Sequence, residues 1–231
     1  MIRAGFLLGI SVGLSGFSFG AEGIQRLDLF GSDPDRFEQL WRKQGFPLIA
    51  PTQYETRAED GGIVVTGHSA KANRGLLREW VIDQPTVARL QWQWRVIDGL
   101  TGEIDERTKA GDDFTARVLV VFETALIPTR TRAINYLWSA REPTGSVFPS
   151  PYTRQVAHIV LQSGAAGAVP GVWRAEERDV LADYEAYFGE PASVISAVAI
   201  MVDADNTKQT ATAEFKALFW EIKAAGDVSC P

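Results

Sequence analysis

One stretch limits what this chain can fold into more than any other: Arg89-Leu90-Gln91-Trp92-Gln93-Trp94-Arg95-Val96. Leu90, Trp92, Trp94 and Val96 take alternate positions, with Arg89, Gln91, Gln93 and Arg95 between them. Successive side chains of a strand point to opposite faces, so the apolar four share one side and the polar four the other. A helix would scatter them around its circumference. The segment is a half-buried β-strand, and the rest of the chain has to supply whatever covers its apolar face.

Further strands follow the same logic. Residues 63–66 come after turn chemistry at Asp60-Gly61-Gly62, and residues 76–82 come next. Residues 113–122 place Phe114, Ala116, Val118, Val120 and Phe122 on one face, with Asp113, Thr115 and Arg117 on the other. Residues 133–138 and 155–162 flank a Pro/Gly/Ser loop, and 211–222 alternate again. Residues 194–202 are almost continuously apolar, as in a strand buried on both faces. Two segments have a helical period. Asp33 caps the first, with Pro34 at its first position, Phe37, Leu40 and Trp41 on one side, and Gly45 as its end. The second covers 179–188 and stops at Gly189 and Pro191. Many short strands, two short helices and no βαβ rhythm predict a mostly β chain: one jelly-roll-type antiparallel β-sandwich.

With 45% hydrophobic and 23% charged residues in 231, the chain lies far from the composition of disordered proteins. A net charge of −6 argues against a nucleic-acid partner. The first twenty residues read as a cleavable signal peptide: Met1-Ile2-Arg3, an apolar stretch over 4–14, then Ser18-Phe19-Gly20 before Ala21. Glycines interrupt that apolar stretch, and it is shorter than the ~20 residues a membrane span needs. The expectation is therefore a single domain over 21–231, placed in the periplasm or secreted, with no stable membrane insertion after cleavage. Cys230 is the only cysteine, which excludes an internal disulfide, and with His68 and His158 alone a Cys/His zinc site is excluded too.

Catalytic motifs are missing: the sequence holds no G-x-S-x-G, H-E-x-x-H, phosphate loop or G-x-G-x-x-G. Three groupings carry chemistry instead. If the strands around residues 92 and 117 share a sheet, Gln91, Gln93 and Arg95 join Asp113, Thr115 and Arg117 in a polar patch suited to sugar hydroxyls or a ligand carboxylate. The alternative is a solvated face with cross-strand ion pairs. Asp203-Ala204-Asp205-Asn206-Thr207 sets carboxylates at alternate positions, as a structural Ca2+ site does, with Asp112 and Asp113 as further ligands. It lacks the glycine and distal glutamate of the helical calcium loop, and the alternative is a polar turn. Of the seven tryptophans, Trp138 and Trp173 stand beside loops and are the ones left to meet a ligand. Glu123, Glu176, Glu177 and Asp183 could supply a carboxylate pair for glycoside hydrolysis. His68 and His158 read more readily as structural histidines than as bases.

Several blocks together resemble a known bacterial family. They are Asp112-Asp113-Phe114-Thr115-Ala116-Arg117-Val118, Ala133-Ile134-Asn135-Tyr136-Leu137-Trp138, and Ser150-Pro151-Tyr152-Thr153. Trp173, residues 176–180, Asp183-Tyr184, Phe188-Gly189-Glu190-Pro191 and 199–207 continue the pattern in order. The family is the domain of unknown function 3047, and the likeness runs from about Phe37 to Trp220. It implies an exported protein with a strand pattern similar to galactose-binding-like jelly rolls. Ala204 and Lys208 depart from the expected polar residue and glycine, which counts against a metal in that turn. The leading expectation is a non-catalytic periplasmic binding module for a glycan or other polar ligand, using Arg95, Asp113, Arg117, Asn135 and Trp138. A structural Ca2+ at Asp203 and Asp205 is an adjunct to it. The alternatives are a hydrolase or lyase acting on cell-envelope polysaccharide, and an envelope structural or assembly protein with a protein partner.

Overall fold

A computed structural model describes residues 18–19, 23–45, 48–123, 131–164 and 171–224. Most of the expected leader, and Cys230, lie outside them. In chain order the elements are β1 (Ser18–Phe19), β2 (Gln25–Asp28), α1 (Pro34–Leu40), β3 (Arg42–Gly45), β4 (Gln53–Glu59), β5 (Gly62–Ala70), β6 (Asn73–Asp83) and β7 (Pro85–Asp98). They continue with β8 (Ala116–Glu123), β9 (Arg132–Ser139), β10 (Val147–Ser150), β11 (Thr153–Ser163), β12 (Arg174–Asp179), α2 (Val180–Phe188), β13 (Val194–Asp203) and β14 (Thr210–Ala224).

The strands form two packed sheets of seven. In the first, the long β14 has β7 on one flank, followed by β12. Its other flank is shared, with β5 and then β4 along one half and β2 and then β1 along the other. The second sheet runs β10-β11-β9-β8-β13-β6-β3. Its one parallel pair is β9–β11, because the chain leaves β9, forms β10, and turns back into β11 alongside it. The fold class is thus the mostly β sandwich with two short helices read from the sequence.

Between the sheets lies one apolar core. Leu90, Trp92 and Trp94 enter it from β7, Phe215 and Trp220 from β14, and Val118, Val120 and Phe122 from β8. The alternation in β7 is realised as read: Leu90, Trp92, Trp94 and Val96 are buried while Arg89 is exposed. Helix α1 begins where expected, with Asp33 Oδ1 accepting from Asp35 N at 3.0 Å. It ends at Leu40, however, and Gly45 closes the strand β3 and not the helix. Helix α2 is capped by Asp179, whose Oδ1 accepts from Ala182 N at 3.1 Å. It is terminated by Gly189 at φ 76°, the left-handed conformation glycine adopts without steric cost.

Two expectations need correction. β7 and β8 belong to different sheets, so the polar sides of the strands around residues 92 and 117 do not make one patch. Phe114 does not join Ala116 and Val118 in the core. Strand β8 begins only at Ala116, and Phe114 packs with Leu137, Phe148 and Val160 in a second apolar cluster. Leu137 and Val160 alternate with Tyr136 and Ile159 of the main core, so this cluster covers the outer face of the second sheet. That cover lets polar side chains on the same face become buried.

Candidate functional site

The core takes Val118 and Val120 from β8, Ile134 and Tyr136 from β9, Ala157 and Ile159 from β11, and Ile200 and Val202 from β13. The residues between them turn outward. Leu119 stands opposite Asn135, Asn135 opposite His158, and Arg117 opposite Met201. Ile49, Asp112, Ser150, Tyr152 and Asn206 come in from loops and strand ends, and the whole encloses a pocket of about 500 Å³. Leu119, Val156 and Met201 form its apolar wall, Asn73, Asp112, Arg117, Asn135, His158, Asp203 and Asp205 its polar part. Tyr152 is 55% exposed, so an aromatic edge remains open to solvent at this pocket.

Arg117 organises the polar part. Its Nε donates to Asp203 Oδ1 at 2.8 Å and its second terminal nitrogen to Asp203 Oδ2, a forked contact that fixes both side chains. The guanidinium also donates to the Asp112 carbonyl at 2.7 Å and lies 3.5 Å from Asp112 Oδ1. Arg117 and Asp203 are 6% and 0% exposed, so these groups interact almost without screening. Burial opposes the Arg117 charge, yet Asp203 and Asp112 hold it protonated beyond the ordinary arginine range. Asp203 is pushed up to about 7, chiefly by burial, with Arg117 opposing and Asp113 and Asp112 adding to the rise. Burial likewise raises Asp112, against the pull of Arg117.

Asp113 has a different task. Its carboxylate accepts from Asn206 N at 3.1 Å and Thr207 N at 2.5 Å, which ties the turn after β13 to the start of β8. Phe114 N donates to Asp203 Oδ1 at 3.2 Å and completes the tie. Asp205 accepts from Asn73 Nδ2 at 2.9 Å. One carboxylate oxygen from each of Asp113, Asp203 and Asp205 can be chosen so that all lie within 4.8 Å of one another, a spacing a hard cation could use. The donor count weakens that use, because Asp113 and Asp203 are already filled by N–H groups.

Hydrogen-bond accounting singles out other atoms. Asp112 Oδ1, Asn135 Oδ1, Asn73 Oδ1 and His158 Nδ1 are buried and have no hydrogen-bond partner. All four residues line the pocket. His158 sits edge-on between Phe114 and Phe148, with ring centroids 5.3 and 5.2 Å away. Burial first, and Arg117 second, lower its pKa to about 3, so the imidazole is neutral and keeps one acceptor nitrogen. A smaller depression of about 380 Å³, lined by Phe37, Trp41 and Tyr54 among others, gathers no such unpaired atom.

Of the residues singled out from the sequence, Asp113, Arg117, Asn135, Asp203 and Asp205 converge here. Arg95 and Trp138 do not. Arg95 lies on the outer face of the first sheet, where Nε donates to Glu214 at 2.6 Å and the guanidinium stands 4.5 Å over Trp173. Trp138 packs edge-on to Trp94 at 5.8 Å and donates to the Gly164 carbonyl at 3.4 Å, on the side of β9 opposite Asn135. Arg117 lines the pocket with Nε and one terminal nitrogen committed to Asp203 and the Asp112 carbonyl. Asn73, Tyr152 and His158 join the site beyond the residues that the sequence pattern points to. For Tyr152 the signal was its place in the Ser150-Pro151-Tyr152-Thr153 block; for His158 it was being one of only two histidines.

A family model described as "Protein of unknown function (DUF3047)" matches residues 39–219. No curated protein matches the chain. Among solved structures, the family 11 carbohydrate-binding module from Clostridium thermocellum with a β-1,3-1,4-mixed-linked tetrasaccharide is similar at 10% identity and TM-score 0.43, covering 90% of this chain and 100% of that one. The xyloglucanase domain of NopAA from Sinorhizobium fredii, with cellobiose, gives 10% identity and TM-score 0.45 over 80% and 92% of the two chains. The K1 cleaved adhesin domain of Lys-gingipain from Porphyromonas gingivalis gives 15% and 0.34 over 88% and 91%. Scores this low say nothing about ligand or activity.

Proposed function

The chain belongs to the DUF3047 family, and we propose that it is an exported, non-catalytic binding module that holds a glycan or other hydroxyl-bearing ligand in the pocket on the outer face of its second sheet. One observation carries this reading: the unpaired buried acceptors Asp112 Oδ1, Asn135 Oδ1 and His158 Nδ1 belong to residues that line a single cavity. A buried acceptor without a donor costs about 1–3 kcal/mol, a deficit that a ligand rich in O–H or N–H groups would remove on binding. The apolar wall of Leu119, Val156 and Met201 suits the C–H face of a sugar ring, while the acceptors suit its hydroxyl edge.

The test is a thermal-shift screen against oligosaccharides, repeated with Leu119→Trp, which fills the cavity from its apolar wall. A ligand that binds only the folded state raises the midpoint by mass action. The expected result is a shift in the unmodified protein that Leu119→Trp abolishes. A screen with no shift, or a shift that survives the filled cavity, would refute it. Export is checked by N-terminal sequencing of the protein recovered from the cell envelope fraction, with Ala21 expected first.

A structural cation at Asp113, Asp203 and Asp205 stays attached to this reading as a proposal of its own. Calcium should then raise the midpoint and chelation lower it, whereas a midpoint indifferent to both would leave Arg117 as the counter-charge of the cluster. A second function has a specific observation in its favour. Asp112 and His158 are displaced in opposite directions from their ordinary pKa values, and His158 Nε2 lies 3.9 Å from Asp112 Oδ1. Such pairs serve as acid and base in enzymes. A hydrolase or lyase would release product from envelope polysaccharide and lose that turnover in Asp112→Asn.

A further inference from the structure

The unpaired atoms of the pocket-lining residues share one property: each is an acceptor or, for the neutral imidazole, can act as one. Asp112 Oδ1 has only the 3.5 Å ion pair with Arg117 and no hydrogen bond. Asn135 Oδ1 is bare, and Asn135 is the cross-strand neighbour of His158, whose Nε2 lies 3.9 Å from Asp112 Oδ1. The three groups therefore cluster at one place on the outer face of β9 and β11.

The charge balance points the same way. Asp112, Asp203 and Asp205 line the cavity, Asp113 backs it, and all four are at most 7% exposed. Arg117 is the one arginine or lysine among the lining residues, and its hydrogen bonds are taken by Asp203 and the Asp112 carbonyl. An anionic ligand would find the one lining cation already paired with Asp203 and would meet excess negative charge. A neutral polyol would fill the acceptors and leave the charge uncompensated. A primary ammonium does both, because it brings three N–H donors, no acceptor and one positive charge.

We propose that the pocket selects a ligand bearing a primary amine on a polyhydroxylated body, an amino sugar, with its ammonium seated among Asp112 Oδ1, Asn135 Oδ1 and the His158 imidazole. This rests on the pocket being the binding site of the protein. The hydroxyls of the sugar would reach towards Asn73 and Asp205, and the apolar ring face would lie along Leu119 and Met201.

The experiment is calorimetric titration of the full chain with three matched series of β-1,4-linked oligomers: glucosamine, N-acetylglucosamine and glucose. They differ in whether the second carbon carries an ammonium, an amide or a hydroxyl. The expected result is at least about tenfold tighter binding of the glucosamine series, the scale of one charged hydrogen bond in a buried site. Asp112→Asn should remove that preference, and Asn135→Leu provides an independent variant should the first fail to fold. Equal or weaker binding of the amine series overturns the inference and leaves the pocket as a neutral-glycan site. Binding by none of the three overturns the pocket reading as well. A calcium response lost in Asp112→Asn, with no amine preference, overturns the inference in favour of a metal ion.

Discussion

Replacing Arg117 by methionine tests the physical account of the site most directly. The change keeps an unbranched, flexible side chain and removes the cation that sits among Asp112, Asp113 and Asp203. With Arg117 at 6% and Asp203 at 0% exposure, the guanidinium is the main compensation for a carboxylate that is itself fully buried. Removing one partner of such a pair costs about 3–5 kcal/mol, because the other charge is left buried and uncompensated. In a domain of this size each kcal/mol moves the melting midpoint by about 2–4 °C, so a fall of about 6–20 °C is expected at pH 8. The loss also depends on pH. Asp203 is raised to about 7 in the folded protein, and losing Arg117 raises it further. An acid that binds its proton more tightly when folded contributes fully below its unfolded pKa near 4, and that contribution is lost as pH rises through the folded value. The deficit of Arg117→Met should therefore be smaller at pH 5 than at pH 8. Adding Asp203→Asn should restore part of it at pH 8, since the uncompensated charge goes as well. Thermal unfolding reads the midpoint, and urea unfolding followed by tryptophan fluorescence reads the free-energy differences at each pH. A single variant within about 1 kcal/mol of the unmodified protein at pH 8, or a deficit that grows on acidification, would refute the reasoning.

Other outcomes follow from the same geometry. His158 is depressed to about 3 from 6.5, by burial and then by Arg117, so its contribution is present above pH 6.5 and lost as pH falls towards 3. His158→Gln should therefore flatten the acid limb of the stability profile, and an unchanged slope there would count against a buried neutral imidazole. Asp113→Ala strips the acceptors from Asn206 N and Thr207 N and should cost about 1–3 kcal/mol in urea unfolding; no change would mean that water replaces the carboxylate. Gly67→Ala places a Cβ 2.7 Å from Val202 Cγ2 and 2.9 Å from Tyr54 Cε1. It should destabilise by about 1–3 kcal/mol, and a neutral result would show that this contact between the sheets relaxes freely.

Parts of the fold were legible because they depend on residues near one another in the chain. The β7 alternation, the Asp33 cap and the Gly189 stop each express a local preference, and each is found in place. Strands β4, Gln-Tyr-Glu-Thr-Arg-Ala-Glu over 53–59, and β12, Arg-Ala-Glu-Glu-Arg-Asp over 174–179, gave no such signal. Their charged side chains are exposed or half-buried, none fully buried, and what makes them strands is backbone pairing with β5 and β7. A propensity reading cannot see that, because the partner that satisfies the N–H and C=O groups is distant in sequence. In β13, Asp203 closes an apolar run and reads as the start of a turn; it is the buried counter-ion of a residue 86 positions earlier.

The sequence by itself determined which side of β7 is apolar, and its strand-rich pattern a sandwich, since a periodicity of two records burial of a face wherever the covering layer comes from. Tertiary structure alone decided which faces meet. It put Arg95 and Arg117 on different sheets, although both alternate with buried residues in the same way. It folded Phe114 and Phe148 over the outside of the second sheet, so that a face resembling a solvated surface became the floor of a pocket. There burial changes the chemistry: Asp112, Asn135 and His158, ordinary polar residues in the chain, each come to hold a buried acceptor atom with no hydrogen-bond partner in the protein.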